Sequence, residues 1–266
     1  MQARELMDQI EAYAPKALAW ERDPIGLQLG DPNQEIHTVM TALDVRPEVV
    51  DEAIVRGVDF IFAHHPMMFH AAKNLDLSDP QNAMYAKLIE HHIVVYAAHT
   101  NLDATYPGMN DWLAEDLMIT NNVRPLLPNA DGKTGIGRIG ELVEPITVTE
   151  YAQLVKETFQ VAHVRVIAND MTQKIQRIAV LGGDGGDEYL QAQAQGADAF
   201  VTADVYYHTG HDMLAHHLVA IDPDHHMEAN AKPRMATLVK KWQNSNGWQL
   251  TDVFPSETNT DPYTYI

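Results

Sequence analysis

The sequence predicts an α/β protein built as two related three-layer lobes, and three observations lead there. Short apolar runs bounded by turn residues, such as Asp59 to Ala63 and Ile93 to Ala98, alternate with helix-length segments, as parallel strands joined by helical crossovers require. Several of these runs end on His, Asp or Glu, and open α/β sheets place ligand sites at that edge of the strands. The pattern also occurs twice. Gly57-Val58-Asp59 stands thirteen residues past Asp44 and leads into a strand ending at His64-His65, while Gly196-Ala197-Asp198 stands thirteen past Gly183 and leads into one ending at Ala203-Asp204.

The chain of 266 residues is long enough for one large domain or two small ones, and its 45% apolar content suits a substantial core. Eighteen Lys and Arg against 37 Asp and Glu give a net charge of −19 with no basic cluster, so nucleic-acid binding is not expected. The absence of cysteine removes disulfides, thiolate nucleophiles and Cys-type zinc sites together, leaving His, Asp and Glu as metal donors. The first residues form an amphipathic pattern without the apolar stretch of a signal peptide, and no apolar run approaches membrane-spanning length. A cytoplasmic location and no membrane partner are the expectations.

Taken in order, Leu6, Ile10 and Tyr13 recur at helical spacing, and that helix stops before Pro15. Glu21 to Pro32, punctuated by glycine and proline, reads as a packed loop. Thr38 to Leu43 is a strand ending at Asp44, followed by a helix from Arg46 to Arg56 opened by Pro47 and stopped by Gly57. After the strand to Ala63, the loop Pro66 to Asp79 could fold over a site. Asp79-Pro80 caps a helix to about His92, and the strand Ile93 to Ala98 runs into His99-Thr100-Asn101-Leu102-Asp103. Asn110 to Leu117 reads as a helix.

Pro125 to Gly137 is rich in breakers and suggests a boundary, with a first lobe of residues 1–125 that continues in part at the C-terminus and a second of 126–266. There, Arg138 to Val143 is a strand, and Thr147 to Glu150 has the form of a capping box opening a helix to Phe159. Strands follow at His163 to Ala168 and Ile175 to Gly182. The glycine cluster Gly182 to Gly186 lacks the spacing and the lysine of a phosphate loop and carries Asp184, so it reads as a tight structural turn. A helix from Asp187 to Gln195, a strand from Ala199 to Ala203, a short helix from His211 to His216 and a strand from Leu218 to Ile221 come next. Asp222 to Glu228 then opens a helix to about Trp242, and Trp248 to Phe254 is the last strand before a polar tail.

Four strand ends thus supply candidate donors: His64 with His65, His99 with Asp103, Asp204 with His208, and His225 with Glu228. A dinuclear centre needs about three protein ligands per ion, and imidazole with carboxylate suits divalent Zn, Fe, Mn, Co or Ni. His64, His65, Asp103, His225 and Glu228 meet that need, with Glu228 placed to bridge and the centre expected in the cleft between the lobes. Strict strand alternation would turn the His64 and His65 rings to opposite sides, so they would serve two neighbouring ions. His99, four residues before Asp103, is either an orienting group or a proton-transfer group. His91-His92 and His216-His217 fall at helix ends, where solvated or capping roles are expected.

His64-His65-Pro66, His99-Thr-Asn-Leu-Asp103, Gly196 to His208 and Asp222-Pro-Asp-His-His-Met-Glu228 occur in an order that resembles the successive motifs of the NIF-three-like family, the GTP cyclohydrolase type 2 homologues; Gly26-Leu-Gln28 matches its N-terminal loop. The resemblance covers nearly the whole chain. It implies a two-lobed α/β fold, two divalent ions held by the same five residues in the interlobe cleft, and a toroidal homohexamer. It also implies a di-metal hydrolase acting on a small molecule, with a nucleotide such as GTP suggested by the family name. A non-enzymatic metal-binding regulator or an oligomeric interaction platform is the alternative. Asp224, Ala203 and Asp184 stand where relatives commonly have Gly, Gly and Ser, and the insert domain of some relatives is absent. The added acid could tighten cation binding or change which substrate is accepted.

Overall fold

Apolar runs that are buried on both faces make the parallel strands here, and each is followed by an amphipathic segment that covers the sheet. The computed structural model describes all 266 residues. They divide into two compact α/β units, Met1–Leu102 with Ala231–Pro262, and Asp103–Asn230 with Tyr263–Ile266. The first unit contains α1 (Ala3–Tyr13), β1 (Gly26–Leu29), β2 (Thr38–Ala42), α2 (Pro47–Val55), β3 (Phe60–Ala63), α3 (Pro80–Glu90), β4 (Val94–Ala97) and, from the returning chain, α9 (Ala231–Asn246) and β11 (Asp252–Pro255). Its sheet runs β1-β4-β3-β2-β11, parallel except for β1. Met40, Ile61 and Val95 from three adjacent strands pack with Val50 and Leu88 from the helices in one buried cluster. The caps are those the sequence specifies: Pro47 sits in the first turn of α2, and the Asp79 carboxylate accepts from the amides of Gln81 and Asn82 at the start of α3.

The short helix α4 (Thr100–Ala104) carries the chain across the division at Leu102 and Asp103. The second unit contains α5 (Met109–Asp116), β5 (Asn121–Pro128), β6 (Gly135–Thr147), α6 (Val148–Phe159), β7 (Arg165–Ile167), β8 (Lys174–Asp184), α7 (Tyr189–Ala194), β9 (Ala199–Ala203), α8 (Tyr207–Ala215) and β10 (Val219–Asp222). Its sheet runs β5-β6-β8-β9-β10-β7, with β8, β9 and β10 parallel and the others antiparallel to their neighbours. The Thr147 and Glu150 side chains form the capping box of α6.

Three features differ from the sequence reading. The compact units part at Leu102 and Asn230, so residues 103–125 sit with the second unit and 231–262 with the first. The reason for the return is backbone pairing, since β11 adds to the open edge of β2 in parallel register. The segment Glu21 to Pro32 is not all loop, because Gly26 to Leu29 pairs antiparallel with β4 at the sheet edge. Breaker-rich Pro125 to Gly137 is a hairpin joining β5 to β6, its turn residues closing a local antiparallel pairing of Pro128 with Gly135.

The expected repeat is present down to single hydrogen bonds. Gly57 and Gly196 both take positive φ, +63° and +79°, at the end of a helix. Two residues later Asp59 accepts from the amides of His37 and Thr38 at 2.7 and 2.9 Å, and Asp198 accepts from those of Gln176 and Arg177, both at 2.8 Å. Each aspartate thereby pins the start of the neighbouring parallel strand. His92 and His217 likewise end α3 and α8 in the left-handed region, at +53° and +56°, which assigns those exposed histidine pairs to helix termini.

Candidate metal centre

In the first unit, β3 stops at Ala63, and His64 and His65 follow in a bend whose amides still donate to Ala42 and Leu43 at 3.0 and 2.9 Å. Because the strand has ended, strict alternation ends with it. The two rings lie 5.0 Å apart between centroids, and His99, two residues past β4, brings a third ring 5.2 Å from His64 and 5.5 Å from His65. Donor nitrogens of the three lie within 4.8 Å of one another, so this cluster could hold a metal ion.

Each of these rings is held through Nδ1 by an oxygen. His64 donates to the Ala98 carbonyl at 2.9 Å, His65 to Asp44 Oδ1 at 2.7 Å and His99 to Asp23 Oδ1 at 3.0 Å. A carbonyl or carboxylate oxygen can only accept, so Nδ1 carries a proton and Nε2 is the nitrogen left to face a ligand, as in a ligating imidazole. His64 is fully buried. Burial by itself would raise the Asp23 carboxyl, but hydrogen bonds from His99 and Thr100 and the charge of His99 hold it below its usual value.

In the second unit, His225 and Glu228 lie on a 3-10 segment, His225–Asn230, in place of the α-helical start expected. A 3-10 turn eclipses residues three apart, and the His225 Nε2 to Glu228 Oε2 separation is 3.3 Å. His225 Nδ1 donates to Asp204 Oδ2 at 2.6 Å, which repeats the arrangement of the first unit and gives Asp204 an orienting role. A carboxylate oxygen of Asp103 lies within 4.8 Å of one of Glu228, both residues being buried. Asn110 links the surroundings of these two groups, donating to the Asp103 carbonyl at 3.2 Å and accepting from the Gly182 amide at 3.1 Å. The helix bearing Asn110 is fixed by the buried Arg138, whose Nε and Nη2 both reach Asp111 at 2.6 Å.

The glycine cluster explains itself here. A Cβ on Gly182 would fall 2.8 Å from Glu228 Oε1, and one on Gly183, whose φ is +67°, would fall 3.0 Å from His225 Nε2. These glycines leave the room that the donors occupy. Beside them, burial and then the charges of Asp204 and Asp187 push the Asp184 carboxyl above its usual range. His208 is exposed on α8 and lies in none of the donor groups.

Asp44 and Asp23 were not singled out as site residues by sequence. Asp44 had a signal, its place at a strand end one strand away from His65, whereas nothing marked Asp23 within its loop. The donor chemistry fits divalent metal: imidazoles with Nδ1 held by an oxygen, carboxylates, and no thiolate.

The sequence matches the Duf34/NIF3 (NGG1p interacting factor 3) family over residues 1–262. A Streptococcus pneumoniae protein named GTP cyclohydrolase 1 type 2 homolog is 40% identical over 269 residues, with all of both chains covered. A Listeria innocua protein of the same name is 30% identical over 362 residues, covering 96% of each chain; the alignment exceeds 266 residues because that relative carries additional sequence. Among solved structures, Staphylococcus aureus protein SA1388 superposes with a TM-score of 0.95 at 31% identity, covering 100% of this chain and 99% of that one. Reduced HcgD from Methanocaldococcus jannaschii gives 0.79 at 30% identity, covering 97% and 98%. A match that spans the chain in sequence and in backbone places it: this protein belongs to the Duf34/NIF3 family.

Proposed function

We propose that the protein is a metal-dependent hydrolase in which His64, His65, Asp103, His225 and Glu228 hold two divalent ions. The observation that carries this reading is the Nδ1 pattern. Four histidines from three strand ends each present Nε2 because an oxygen fixes Nδ1, an arrangement with no purpose in a solvated polar edge. Each donor group is also short by itself: the first unit offers imidazoles without a bridging carboxylate, and the second offers carboxylates with one imidazole. Bound there, divalent ions would supply Lewis-acid polarisation and activation of water.

The remaining chemistry belongs to the chain. Glu228, buried and with its carboxylate near both Asp103 and His225, is the group suited to bridge. His99, held by Asp23 and less enclosed than His64, takes or gives a proton at Nε2 while its Nδ1 proton stays with the carboxylate. The substrate is a small molecule, and the name shared by the relatives suggests a nucleotide such as GTP. Self-association as a toroidal hexamer belongs to the same proposal.

Purified, metal-loaded protein assayed against a panel of nucleotides tests it. Turnover that disappears in His64→Ala is the expected result, and no turnover with any nucleotide, or turnover indifferent to His64→Ala, would sink the reading. A second reading, a metal-binding regulator or interaction platform, is favoured by one observation, the interacting-factor description of the family. Metal-dependent stability without turnover would select it.

A further inference from the structure

The C-terminal segment looks like a polar tail in the sequence, yet in the first unit it is tied down at Ser256, Glu257, Thr258 and Thr260. The Ser256 amide donates to the Thr41 carbonyl at 2.7 Å, directly continuing β11 along β2. Glu52 on α2 then gathers the next residues, accepting from Ser256 Oγ at 2.6 Å, the Glu257 amide at 3.0 Å and Thr258 Oγ1 at 2.8 Å. From α9, Lys232 Nζ donates to the Thr258 carbonyl at 3.1 Å. These bonds deliver Thr260, whose Oγ1 donates to Asp44 Oδ2 at 2.5 Å, while the other oxygen of the same carboxylate accepts from His65 Nδ1 at 2.7 Å.

We propose that Thr260 is a positioning residue for the metal centre, and that the C-terminal segment acts as a strap which fixes Asp44 and, through it, the ring orientation and tautomer of His65. The inference rests on the reading of His65 as a metal ligand. The physical argument is one of rotation. A carboxylate on a short Asp side chain can turn about its terminal bond, and bonds from His65 and Thr260 to its two opposite oxygens oppose that turn. Outer partners of ligating histidines commonly change metal affinity on the order of 10- to 100-fold, so a hydroxyl two bonds removed from the ion is worth measuring. The strap itself is firmly seated, because the hydrogen bonds from Ser256, Glu257 and Thr258 hold the Glu52 carboxyl at about 2 against the opposing effect of its burial.

The test uses the full chain and two measurements. First, 15N-histidine NMR of metal-free protein at a pH where imidazole is neutral reads the His65 tautomer. Second, chelator competition with Zn²⁺ and with Mn²⁺ reads the affinity of each ion. Thr260→Val removes the hydroxyl and keeps the branched shape; Thr260→Ser keeps the hydroxyl. The expected result is a single Nδ1–H tautomer in the wild type, a mixture in Thr260→Val, a loss of about tenfold in affinity for one ion only, and recovery in Thr260→Ser. Wild-type tautomer and affinities in Thr260→Val would overturn the proposal. If Thr260→Val does not fold, Thr260→Ala removes the same hydroxyl, and an unchanged His65 tautomer there would overturn it equally. Should the wild type bind no ion, the hydrolase reading falls by itself, and the tautomer comparison still decides what Thr260 does.

Discussion

The two units use one backbone plan to present different chemistry. Counted from the glycine that ends the first repeat helix, His65 is eight residues past Gly57 and Asp204 eight past Gly196; Asp44 and Gly183 each stand thirteen before those glycines. In the first unit the strand-end pair is therefore Asp44 orienting His65. In the second, the equivalent places hold Gly183 and Asp204, and the histidine comes from elsewhere: His225, on the 3-10 segment after β10, enters the room that Gly183 leaves and is oriented by Asp204. One repeat thus offers its imidazoles from the strand ends and the other offers an imidazole and a carboxylate from a short helix. The lesson is that the hydrogen-bond frame of a duplicated fold can stay fixed while the role of each strand end changes.

The comparison is broken or sharpened most strongly at the donors. If the proposed dinuclear reading holds, Glu228→Ala is expected to lose both ions, whereas His64→Ala and His65→Ala should each lose one. Elemental analysis after dialysis reads the stoichiometry, and equal loss from all three would show that His64 and His65 do not serve separate ions. Next in size, Gly183→Ala should cost about 1–3 kcal/mol in unfolding free energy from its left-handed backbone. It should also weaken metal binding if His225 is a ligand as proposed, since the new Cβ would lie 3.0 Å from Nε2.

The shared frame predicts near-equal effects. Asp59→Ala and Asp198→Ala each remove an acceptor of two strand-start amides, and each should destabilise the fold by about 1–2 kcal/mol by chemical denaturation. A difference greater than that between them would mean that the repeat is geometric only. The smallest expected effect lies in the strap, which the second unit lacks at the equivalent strand. The Glu52 carboxyl is held at about 2, below its ordinary value, so its contribution to stability is complete above the unfolded value near 4.5 and is lost as pH falls from there toward 2. Thermal unfolding of Glu52→Gln should show a flatter pH dependence across that window than the wild type, with little difference in slope above pH 6.

Much of this protein was legible in the chain. Local signals are strong where one residue type satisfies one local demand. Pro47, Asp79 and Thr147 open helices, Gly57 and Gly196 supply positive φ, and buried apolar runs such as Phe60 to Ala63 can only be central strands. The donors were legible too, as His, Asp and Glu placed after such strands. What the sequence could not carry is pairing at a distance. That β11 returns to β2 and that Gly26 to Leu29 is a strand depend on which backbone groups meet, and a single strand has no means of encoding its partner. The same limit hid Asp23, Asp44 and Thr260, whose value is one oxygen aimed at one nitrogen or at another carboxylate. An aspartate or threonine at a loop end is ordinary in a sequence, and only the tertiary structure decides that it stands behind a histidine.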